Sequence, residues 1–151
     1  MAGALAMSVA GLVCAEFGVL VGLEAPAGML LGGEAGASET VAVGFGLHLL
    51  FGAWLAHLYA EGFEAVIGCA GWCIGASFGL VHALAAGFAV GLLPALATSS
   101  PHAAAPGLFM AHQGLAGVCC FILLHLLYGA VVGAVYDVTR DSVIYRPPVG
   151  A

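Results

Sequence analysis

The chain has 151 residues, of which 63% are hydrophobic and 7% charged, and its mean hydropathy is +1.14. Soluble chains carry about 25% charged residues, so this composition excludes a soluble domain. With no lysine, arginine only at Arg140 and Arg146, and a formal charge of −6, the chain also lacks an electrostatic basis for binding nucleic acid.

The apolar runs are long and continuous. A hydrocarbon core of about 30 Å is crossed by about 20 apolar residues of helix. Backbone groups in lipid must bond internally, in helices or closed barrels, and a barrel needs period-2 alternation that is absent here. The sequence therefore predicts an all-α integral membrane protein.

The first segment covers residues 2–23 and is read as a retained helix, because a cleaved leader would want a basic start and a shorter apolar core. Glu16 lies inside it. The stretch 25–39, with Pro26, Gly32-Gly33 and nearby acids, reads as a loop with a short interfacial piece at Met29-Leu30-Leu31. The second segment covers residues 40–60. Glu61-Gly-Phe-Glu64 reads as a tight turn, which makes the second and third segments antiparallel neighbours. The third segment covers 65–97, longer than one span, with Pro94 expected to kink or end it. After a loop rich in Pro and small residues to Gly107, the fourth segment covers 108–136. Residues 137–151 form a polar tail.

An internal repeat ties these segments together. His48-Leu-Leu-Phe-Gly-Ala leads to Tyr59, and His125-Leu-Leu-Tyr-Gly-Ala leads to Tyr136, at a constant offset of 77 (125 − 48 = 136 − 59 = 77). Gly3-Ala4 matches Gly75-Ala76 more weakly. Two helical hairpins, residues 1–64 and 65–136, would then form a four-helix bundle about an axis normal to the membrane, as in parallel repeats of some transporters. The positive-inside bias of Arg140 and Arg146 puts both termini in the cytoplasm, in a multi-pass protein of the cell inner membrane.

Small residues recur every four positions in the third segment: Gly71, Gly75, Gly79, Ala83, Gly87 and Gly91. Gly129 and Gly133 repeat the spacing in the fourth. Such rows let helices approach closely, which drives association where lipid offers no hydrophobic force.

His48 and His125 fall near mid-span, where an ionisable side chain faces protein and is a functional candidate by default. They have two readings. One is a b-type haem held by both imidazoles, with Gly44, Gly52 and Gly129 leaving room for a flat ligand. The other, preferred, is a pair of neutral histidines that hydrogen-bond across helix interfaces. Glu16, His82 and His112 are expected to be buried polar groups, Glu16 pairing with one of the histidines or serving as the ion site of a small channel or carrier. His57, Trp54 and Tyr59 read as an interfacial belt. Cys14, Cys69, Cys73, Cys119 and Cys120 read as small packing residues, since Cys69-x3-Cys73 lacks metal or redox spacing. No metal site is expected, and neither phosphate loops nor nucleophile–base motifs occur; no catalytic residue is expected.

Gly75-Ala-Ser-Phe-Gly-Leu-Val-His82, Leu92-Leu-Pro94-Ala, Ala104-Ala-Pro-Gly107 and His125-Leu-Leu-Tyr-Gly129 follow one another in the second half. This half resembles a family of small four-helix membrane proteins of bacteria and haloarchaea, classed as a domain of unknown function. The chain departs from that pattern in its short third loop and its few methionines. The resemblance implies a four-helix membrane fold and carries over neither a cofactor nor a catalytic residue. The functional expectation is a non-enzymatic accessory subunit without cofactor, surrounded by lipid and packed against other integral membrane subunits of a larger, energy-converting complex.

Overall fold

A computed structural model describes residues 1–22, 37–96 and 106–144. The loop piece at Met29-Leu30-Leu31, most of the third loop with His102, and the last residues of the tail lie outside the described residues. The described chain is helical: α1 Ala2–Glu16, α2 Ala37–Gly62, α3 Trp72–Leu96 and α4 Gly114–Ile144. Ser38–Ile67, Trp72–Leu92 and Leu108–Arg140 are each long and apolar enough to cross a membrane.

α1 is not among those spans. The apolar run continues to Gly22, but the helix stops at Glu16, where Gly18 takes φ +78° and the Cys14 carbonyl accepts from the amides of Phe17 (3.1 Å) and Val19 (3.0 Å). A left-handed glycine ends a helix because it turns the chain while the last carbonyls stay satisfied. At 1.5 Å per residue α1 is about 22 Å long, against a core of about 30 Å. The expected span over 2–23 is therefore a shorter helix.

The α2–α3 connection also differs from expectation. Glu61 to Glu64 is not the turn. The helix runs through them into a π-helical turn, Phe63–Ile67, capped by Gly68 at φ +76°, whose amide donates to Phe63 O at 2.7 Å. The reversal falls at Gly68–Gly71, and α3 starts seven residues later than expected. α4 in turn runs past Tyr136 to Ile144, so the first part of the tail is helical. The Thr139 hydroxyl bonds back to the Val135 and Tyr136 carbonyls, both at 2.9 Å.

Named contacts set the register. Phe63 packs on Phe78 (ring centroids 5.0 Å) and Tyr136 (5.6 Å), and Tyr136 Oη donates to Glu64 Oε1 at 2.9 Å. Arg140 joins this end, 3.6 Å from Glu64 and donating to Gly68 O at 3.5 Å. α2 therefore runs parallel to α4 and antiparallel to α3. α1 runs antiparallel to α4: Gly3 lies against Tyr128 and Val132, and Gly11 against Leu124. Two buried clusters result, one of Ala4, Tyr59, Phe63, Tyr128 and Val132, the other of Val21, Ala83, Val90, Met110, Phe121 and Leu124.

The row of small residues on α3 is filled within the chain. A side chain on Gly75 would strike the Gly129 backbone, one on Gly79 the His125 carbonyl, and one on Gly133 the Gly71 carbonyl. The α3 and α4 backbones therefore touch, with Ala83 fully buried beside them. Further along, Gly87 faces the Phe109 ring and Gly91 faces Leu108.

Those two residues come from a 3-10 turn, Leu108–Gln113, that enters α4 between Gly107 (φ +73°) and Gly114 (φ +70°). Inside it Phe109 (φ +53°) and Met110 (φ +63°) adopt left-handed backbone, a conformation costing about 1–2 kcal/mol per non-glycine residue. The packing of Phe109 into the gap at Gly87, and on Phe88 and Phe121 (5.4 and 6.2 Å between centroids), offsets this cost.

Candidate functional site: an intramembrane histidine–tyrosine cluster

The middle of the bundle gathers His48, Tyr59, His82, His125 and Tyr128. Tyr59 and His82 stand across the α2–α3 hairpin, and the Tyr59 hydroxyl donates to His82 Nδ1 at 3.2 Å. The His82 ring lies edge-on to His125 (4.8 Å) and to Tyr128 (5.7 Å), and Tyr59 packs on Tyr128 (5.5 Å). His125 is buried, Nδ1–H donating to Phe121 O one turn back at 2.8 Å and the ring 4.3 Å from that of Phe121. Tyr128 Oη donates to Gly52 O at 2.5 Å, which joins α4 to α2. His48 Nε2–H donates to Ala4 O at 3.2 Å, which joins α2 to α1.

Sequence logic explains the convergence. On α4, His125 and Tyr128 are three residues apart and so share a face. Gly79 on α3 admits the His125 backbone and brings His82, three residues on, to that same face. Gly52 on α2 faces Ala4, so α1 and α2 approach at the level of His48.

His48 and His125 each donate one ring N–H to a backbone carbonyl. Of the glycines expected to leave room for a flat ligand, Gly52 faces Ala4 and Gly129 faces the Gly75 carbonyl. Among the described residues no group of three or more His, Cys, Asp or Glu side chains could hold a metal ion.

Of the expected buried polar groups, His82 is in the cluster at intermediate burial. Glu16 and His112 are exposed on the chain surface. Glu16 closes the short α1, and His112 sits in the tight turn before α4, beside Gly107; neither position carries a side chain inward. His82 bonds Tyr59 in place of Glu16. Tyr59 is buried, not part of an interfacial belt with Trp54 and His57, which are exposed. Its role was hidden because its partner lies on the next helix. The sequence signal that finds it is position: Tyr59 and Phe63 are one turn apart and face Phe78 and His82, also one turn apart, across the hairpin.

The cluster can hold five polar side chains in the middle of the helical packing at low cost, because its hydrogen bonds pair hydroxyls and imidazoles with acceptors inside the chain. We expect purified protein mixed with haemin to show no shifted Soret band dependent on these histidines. Absorption spectra of the native chain, His48→Ala and His125→Ala should coincide, and a band lost in both variants would establish haem ligation.

No family model, curated protein or solved structure matches the chain.

Proposed function

We propose that the chain is a non-catalytic accessory subunit of a larger membrane assembly of the energy-converting type. The supporting observation is the state of α2. Ser38–Ile67 has the length and hydropathy of a span, yet only 11% of its most apolar window is buried inside the chain, against 39% for Leu108–Arg140. Leu50, Phe51 and Trp54 all point outward. On the same helix Ala42 is exposed, and Gly46 has no atom within 4 Å of the position a side chain would take. On α3 and α4, by contrast, Gly75, Gly79, Gly129 and Gly133 are filled by a neighbouring helix. A small-x3-small pair left unfilled fits the close approach of a helix from another subunit.

The four-helix arrangement is part of the proposal. Gly52 packs against Ala4 on α1 and Gly129 against Gly75 on α3, a glycine-mediated contact in each half that supports two related hairpins. α1 and α3 share one direction and α2 and α4 the other. With Arg140 and Arg146 near the end of the chain, this supports both termini in the cytoplasm and a place in the inner membrane. The cluster of histidines and tyrosines acts here as a set of hydrogen-bonded clasps without a cofactor.

Membranes extracted in a mild detergent provide the test. The chain should migrate with other integral membrane proteins, well above its own 15.0 kDa, and Gly46→Leu should release it. A stable monomer or a simple homo-oligomer, together with intact membrane complexes in a deletion strain, overturns the reading.

A further inference from the structure

Two thiols lie between the end of α1 and the start of α4. Cys14 sits in the last turn of α1 and Cys120 two turns into α4, and the antiparallel register that sets Gly11 on Leu124 brings the two cysteines to the same level. Both line a shallow apolar groove of about 300 Å³, walled by Ala10, Val13, Leu123 and Leu127. Cys119 is next in sequence but exposed, and Cys69 and Cys73 are exposed at the other end of the bundle.

Two thiols that line one groove from separate helices reach the spacing of a disulfide, with sulfurs about 2 Å apart, by a local adjustment of one helix end. The end of a helix is the part of the fold best able to make it, and α1 ends within a turn of Cys14, where Gly18 carries the chain away. The walls of the groove are apolar, so a charged oxidant gains nothing by entering, whereas a lipid-dissolved one reaches the sulfurs from the bilayer.

We propose that Cys14 and Cys120 form a reversible intrachain disulfide, with a membrane-dissolved quinone as the oxidant. Both S–H bonds break and one S–S bond forms. The thiols give up two protons and two electrons, and the quinone accepts them and departs as the quinol. The bond ties α1 to α4, holding a helix too short to cross the membrane by itself. The inference stands apart from the subunit assignment, since it needs no second protein.

The test uses the full chain in detergent micelles. One sample receives duroquinone, whose fully methylated ring offers thiols no open carbon, and another receives glutathione disulfide. Free thiols are then blocked with N-ethylmaleimide, and the digest is read by mass spectrometry without reduction. The expected product is a linked Cys14–Cys120 peptide, formed about tenfold faster with duroquinone because access governs the rate. It should vanish in Cys14→Ser and in Cys120→Ser and persist in Cys119→Ser. Linkage through Cys119, cross-linked dimers, equal rates with both oxidants, or no linkage in a chain with native circular dichroism overturns the proposal.

Discussion

Gly79→Ala should destabilise the folded chain by about 3 kcal/mol, at the upper end of what overpacking costs. The added methyl has no room, because the His125 carbonyl occupies its place. A rigid backbone lies on both sides, so the strain cannot be relieved by turning a side chain. α3 and α4 must separate, and His82 and His125 separate with them. Gly46→Ala is the control. Nothing lies within 4 Å of that site, and alanine is the better helix former by about 1 kcal/mol. Thermal melting in detergent should show a large loss for the first variant and none for the second. Equal melting points would mean that α3 and α4 are not in backbone contact.

Phe63→Ala should cost about 3 kcal/mol, within the range for emptying a buried phenylalanine site. Phe63 is fully buried and touches the rings of Tyr59, Phe78 and Tyr136. These rings come from α2, α3 and α4, so its removal loosens three helices at once. Phe63→Leu, which keeps most of the volume, should recover over half of the loss. In lipid the lost term is packing rather than water exclusion, because hydrocarbon outside the chain is as apolar as the interior. The loss should therefore appear equally in short-chain and long-chain detergents. Trp54→Ala, at an outward-facing residue on the same helix, should leave the melting point unchanged.

The helical class was legible because the apolar runs are long, poor in charge and without period-2 alternation. The glycine rows were legible as contact surfaces, since only small residues allow backbones to touch. Their partners were not. Gly87 and Gly91 pack against Phe109 and Leu108, whose placement depends on left-handed backbone at Phe109 and Met110 that their side chains do not advertise. Helix ends were missed for a related reason. Gly18 and Gly68 sit in apolar runs where hydropathy is the same whether the backbone is helical or turned. Of the cluster, His48 and His125 could be picked out as ionisable side chains in the middle of apolar runs. His82 was expected to be buried but without its partner, and Tyr59 and Tyr128 join through hydrogen bonds between segments, which no single stretch of sequence records.

The strained turn before α4 has a consequence for the order of events. Phe109 lies in the open face of Gly87 and Leu108 in that of Gly91, so the packing that offsets the left-handed backbone at Phe109 requires α3 to be in place. Its contacts are therefore expected to form after the transition state, which Phe109→Ala should show as faster unfolding at an unchanged folding rate. Interactions of that kind slow unfolding and leave the rate of folding nearly unchanged. On that expectation the turn is a late latch on the helical pair, governing how long the packed helices persist once they have met.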